Sequence, residues 1–179
     1  MDRTDGSVRK ENDHKEKGGE RIMIKKQSVG IWMNVAVVLL TLVSLIVYGV
    51  NISSEGYFKN AAVSNLILYG VLAIVMLIVV IGLAQVKVSD SAQLAVEIVS
   101  GILRIAAPVL LTLGLVTLVS ARAEGLGFIF FSNEDVLLEV QTAANMSSAT
   151  GTIVNMVCLG LSAIAAMAAA FFSTKKKDA

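Results

Sequence analysis

The chain has 179 residues, of which 55% are hydrophobic, and a mean hydropathy of +0.74. That apolar content exceeds what a soluble domain of this size carries, and the 15 basic and 14 acidic residues behind the net charge of +1 lie mostly in the first 26 positions and the loops, so the remainder is very poor in charge. This segregation excludes a soluble globular domain, while one cysteine, Cys158, and one histidine, His14, exclude an internal disulfide, a cysteine metal cluster and a nucleophile with a histidine base in the membrane core.

Residues 1–27 read as a disordered cytoplasmic tail. Asp and Glu alternate with Lys and Arg around the breaker Gly18-Gly19, leaving too little apolar area to offset the entropy of ordering. The alternation also differs from the basic blocks that bind nucleic acid, so no nucleic-acid partner is expected. Gly18-Gly19-Glu20 can be encoded by a purine-rich run resembling a ribosome-binding site, which makes Met23 an alternative start; the mass of the natural N-terminus decides between them.

Residues 28–174 form the expected membrane domain, with uninterrupted apolar runs at 31–50, 61–86, 98–120 and 151–172. At 1.5 Å per residue, about 20 residues cross a hydrocarbon core about 30 Å thick. The runs are continuous rather than alternating, so they predict an all-α, four-helix polytopic bundle and not a barrel. The first run is long for a signal peptide, and Val47-Tyr48-Gly49 is a poor cleavage site, so it is read as an uncleaved helix.

With both termini inside, the cytoplasmic segments, including the basic tail at 175–179, hold thirteen basic residues, whereas Lys59 and Arg122 alone fall outside. The positive-inside rule therefore predicts cytoplasmic termini. Trp32 and Phe171-Phe172 would mark the inner boundary and Tyr48, Tyr57, Phe58, Phe128, Phe130 and Phe131 the outer one, with Tyr69 deep within a span. The short, lysine-flanked layout points to a bacterial cytoplasmic membrane. Asn51-Ile52-Ser53 and Asn145-Met146-Ser147 match the glycosylation pattern, a frequent coincidence given little weight here.

The third span carries the costliest residues: Gln93, Glu97, Ser100 and Arg104 follow one another at helical spacing and form a polar stripe. Beginning near Ser89 or Asp90, this helix would run to about Ala121 and exceed a bilayer by some ten residues. Charge within a membrane is a functional hypothesis by default. Glu97 and Arg104 stand about 10.5 Å apart along the axis, too far to pair, so each calls for another partner, such as Gln85, Lys87 or a lipid phosphate. Pro108 frees a backbone carbonyl nearby.

The second outer loop, 122–148, is expected to begin with a flexible apolar stretch at Gly125 to Phe131, followed by a helix of about ten residues capped by Ser132. Glu134, Asp135 and Glu139 would face away from the bundle and Val136, Leu137 and Val140 toward it, giving either a plain connector or an outer docking helix. In the fourth span, Cys158, Ser162, Ala166 and Ala170 recur every four residues as a helix-packing surface. Asn65 and Asn155 lie at comparable distances from the outer face and would meet if the second and fourth helices are neighbours.

No catalytic motif, phosphate loop or internal repeat is present, so no enzyme activity, cofactor or metal is expected. The expected function is a non-catalytic accessory or scaffold subunit of a larger membrane complex. The alternative is a small oligomeric transporter or channel that uses the polar stripe. Expected partners are the lipid bilayer and another membrane protein, or further copies of the chain.

Overall fold

A computed structural model describes residues 28–86 and 90–172. The expected N-terminal tail, the turn at Lys87 and the terminal lysines lie outside these. Four helices are long and apolar enough to cross a membrane: α1 (Val29–Ser53), α2 (Leu66–Gln85), α3 (Asp90–Phe131) and, after the short α4 (Glu134–Val140), α5 (Ala143–Phe171). The chain is thus all-helical and compatible with a multi-pass membrane protein.

Consecutive long helices pack on one another, and α5 closes the ring by packing on both α3 and α1. Neighbours run antiparallel: Asn51 near the end of α1 bonds Ser148 and Thr152 near the start of α5. Likewise Arg104, early in α3, reaches Ala169 late in α5. The bundle therefore has a loop end, where α1 leads into α2 and α3 into α5, and a terminal end, where α1 begins and α5 stops.

The helix limits differ from the hydropathy limits because backbone hydrogen bonding and tertiary contacts set them. The second helix begins only at Leu66, after Asn65, whose left-handed φ of 62° separates it from the preceding loop. Tyr69 is consequently near the start of α2 rather than deep in a span. Asn65 is exposed and does not reach Asn155.

α3 is the main departure. Its 42 residues span about 63 Å, twice a hydrocarbon core. Instead of a flexible stretch, residues 125–131 continue the helix, because the α1–α2 loop packs against it. A Cβ at Gly125 would stand 2.7 Å from the rings of both Tyr57 and Phe58, so this glycine serves close approach. Pro108 sits inside α3 without breaking it, as membrane helices allow, and the Thr112 hydroxyl bonds back within α3 to the Pro108 carbonyl at 2.8 Å.

Two apolar clusters result. The larger fills the bundle with Val37, Leu77, Leu111, Leu118, Leu159 and their neighbours. The smaller lies at the loop end, with Phe58, Ile129 and Ala149 at its centre and Leu126, Phe130, Val140 and Met146 around them. Tyr48 and Phe58, expected at the lipid boundary, are buried in these clusters.

Candidate functional site

The buried face of α1 carries Asn34, Val37, Thr41, Ser44, Tyr48 and Asn51, alternating steps of three and four. The facing surface of α5 carries Ser148, Thr152, Asn155, Leu159, Ser162, Ala166 and Ala169 at the same spacing. This is the heptad rhythm of a helix seam, largely polar. Polar side chains can bond across such a seam where lipid offers no competing partner, and small ones let the backbones approach.

The bonds are specific. The Ser44 hydroxyl donates to Asn155 Oδ1 at 2.6 Å. Asn51 Nδ2 donates to the Ser148 carbonyl at 2.8 Å and to Thr152 Oγ1 at 3.2 Å. Ser148 Oγ in turn donates to Asn51 Oδ1 at 3.2 Å and accepts the Phe58 amide at 3.2 Å. With its amide buried and engaged, Asn51 is not presented for glycosylation. The amide nitrogen of Asn145 is also occupied, donating to the Val140 carbonyl at 2.8 Å.

The stripe proposed on α5 lies partly on this seam. Ser162 and Ala166 are buried at its centre, while Cys158 and Ala170 are half-buried at its margins. A repeat of four advances about 40° per step around a helix of 3.6 residues per turn, so it drifts off a seam that alternates three and four. The missed signal was the interval of seven linking Asn34, Thr41 and Tyr48, and linking Ser148, Asn155 and Ser162.

The polar stripe of α3 divides into two parts. Gln93 Nε2 donates to Glu97 at 3.1 Å, both on an exposed surface, and Ser100 is half-buried. Arg104 instead turns to α5, where its Nη2 donates to the carbonyls of Ala169 at 2.9 Å, Ala170 at 2.8 Å and also Phe172. The last carbonyls of a helix have no intrahelical partner and carry partial negative charge, so a guanidinium there supplies donors and offsets the dipole. Arg104 thus finds protein partners not in Gln85 but in the backbone end of α5.

A second arginine, counted from sequence only as an outer-loop charge, is buried at the loop end. Arg122 is 4% exposed; its guanidinium carbon lies 4.5 Å from the centroid of the Phe58 ring and its Nη2 donates to the Ala61 carbonyl. Tyr57 meets Phe58 edge-on at 5.1 Å and approaches Phe128 at 6.0 Å. Gly56, at φ 137°, turns the loop so closely onto α5 that a Cβ would stand 2.6 Å from the Ala144 carbonyl oxygen. The loop, the extension of α3 and the start of α5 therefore form one packed cap.

α4 lies against this cap. Its N-terminus is capped by Asn133, which accepts from the Val136 amide at 3.0 Å, rather than by Ser132, whose hydroxyl donates back to Phe128 at 2.7 Å. Because α3 continues to Phe131, Ser132 directly follows its last turn. Val136, Leu137 and Val140 are half-buried, and Glu134, Asp135 and Glu139 are exposed. Phe131 and Leu138 are the most open apolar residues of the cap, at 87% and 82% exposure.

Among the described residues, no three His, Cys, Asp or Glu side chains gather as metal ligands would. What the fold defines is a helical bundle with four potential membrane spans, a polar seam, an arginine-capped helix end and a structured cap. Comparison with protein families, curated proteins and solved structures finds no match.

Proposed function

We propose that the protein is a non-catalytic integral subunit, an accessory or scaffold within a larger complex of a bacterial cytoplasmic membrane, with both termini cytoplasmic and the cap outside. The observation that carries this reading is the cap. Arg104 bonds the carbonyls that end α5, and so marks the level at which the fourth span stops. With Arg104 at the inner headgroup level, about 20 residues of α3 cross the hydrocarbon core and end near Glu124; from there α3 continues about seven residues, or about 10 Å, to Phe131, whereas the headgroup layer on each side is only about 5–8 Å deep. Phe131 and Leu138 are then apolar groups in water, set among carboxylates on a platform held by Arg122 and Phe58. A rigid platform with exposed apolar anchors suits docking to a protein.

Crosslinking in native membranes followed by detergent purification tests the reading. One stoichiometric foreign partner supports it, and loss of that partner on Phe131→Ser with Leu138→Ser supports the cap as the docking surface. A pure self-oligomer would instead favour the transporter or channel alternative. Orientation is tested separately in a Cys158→Ala background. Cysteines at Glu55 and Glu134 are expected to react with an impermeant thiol reagent in intact cells, and those at Asp90 and Asp178 are not; labelling at Asp178 overturns the orientation.

A further inference from the structure

At the terminal end, α3 and α5 part to leave a surface groove of about 470 Å³, walled by Ile105, Pro108, Val109, Leu113, Met167 and Phe171. Thr112 also lines it, but its hydroxyl is turned to the Pro108 carbonyl. The wall therefore presents hydrocarbon almost throughout and suits an aliphatic chain rather than a polar metabolite. From Ile105 to Leu113 the groove follows α3 for about 12 Å, close to half the thickness of a hydrocarbon core.

The end of this groove is charged. Arg104 immediately precedes Ile105, and its Nη2 lies 2.8 Å from the carbonyl oxygen of Ala170, itself a lining residue. The C-terminal dipole of α5 offsets only about half an elementary charge, so a positive charge remains where the apolar wall stops. The nearest acidic residue of α3 is Glu97, about 10.5 Å along the axis from Arg104 and bonded to Gln93.

We propose that this groove holds one acyl chain of an anionic phospholipid, with the lipid phosphate drawn to Arg104. Apolar wall and positive end are arranged in the order in which chain and headgroup occur in a lipid lying along the bundle. The site is independent of which complex the protein joins.

Native mass spectrometry of the delipidated full chain, titrated with phosphatidylglycerol or phosphatidylcholine of identical acyl chains, tests the proposal. One phosphatidylglycerol should be retained about fivefold more tightly than phosphatidylcholine, the effect of about one interfacial charge contact. Arg104→Gln should remove that preference. Since this variant also uncaps α5, Ala170→Trp provides a second test: it fills the groove, keeps Arg104 and should reduce both lipids to non-specific adducts. Equal affinity of the parent for the two lipids, or undiminished phosphatidylglycerol retention by Ala170→Trp with unchanged helicity, overturns the assignment.

Discussion

Asn51 and Ser148 exchange hydrogen bonds in both directions, the Asn51 amide donating to the Ser148 carbonyl at 2.8 Å and the Ser148 hydroxyl donating to Asn51 Oδ1 at 3.2 Å. They are 97 positions apart, so this pair ties the end of α1 to the start of α5, and Ser148 extends the tie to the loop through the Phe58 amide. Asn51→Leu removes these two bonds and a third to Thr152. At about 0.6 kcal/mol per interhelical bond, the variant should lose about 2 kcal/mol. Denaturant titration in mixed micelles measures this, with Ser147→Ala, an exposed neighbour, as control. An unchanged midpoint would show that the pairing contributes nothing.

Arg104 is expected to hold the last turn of α5. A cation at a helix C-terminus contributes about 1 kcal/mol, so Arg104→Ala should speed amide exchange in that turn about fivefold, while Arg104→Lys, which still offers donors to the carbonyls, should stay near the parent. In reconstituted vesicles, anion flux should not depend on the substitution. A parent flux that disappears in Arg104→Ala while the end of α5 remains protected would support the transporter reading instead.

Arg122 and Phe58 are predicted to couple. A guanidinium over a ring out of water contributes about 1–2 kcal/mol, which a double-mutant cycle of Arg122→Met and Phe58→Leu resolves as a non-additive difference in stability. Strict additivity would reduce the contact to a geometric coincidence.

The cap itself can be opened selectively. Val140 packs beside Phe58 and Ile129, whereas Glu139 faces solvent. Val140→Asp buries a carboxylate and should expose the loop to protease, while Glu139→Lys should leave it as resistant as the parent. If Glu139→Lys keeps the loop protected but detaches a copurifying protein, the acidic face takes part in docking. Equal resistance of all three proteins would make α4 a plain connector.

The four long helices were legible in the sequence because uninterrupted apolar runs long enough to cross a bilayer leave the backbone few other ways to satisfy its hydrogen bonds. In residues 134–140, half-buried Val136, Leu137 and Val140 alternate with exposed Glu134, Asp135 and Glu139 at helical spacing. Helix ends were not legible. Hydropathy reports the depth of hydrocarbon, yet α3 continues about ten residues past the expected limit because a loop more than sixty positions away packs on Gly125 and Arg122.

The roles of the polar residues were decided by tertiary structure alone. From the sequence, Asn51 resembles a glycosylation site, Arg122 a loop charge and Arg104 an unpartnered cation. Each acquires its actual partner from another helix or a distant loop: Ser148, Phe58 and the carbonyls ending α5. A buried donor is governed by whichever acceptor the fold brings within about 3 Å, and no periodicity within one strand of sequence encodes that distance. The seven-residue rhythm of the seam was present in the chain throughout, but only the antiparallel approach of α1 and α5 sets Ser44 opposite Asn155 rather than Asn65.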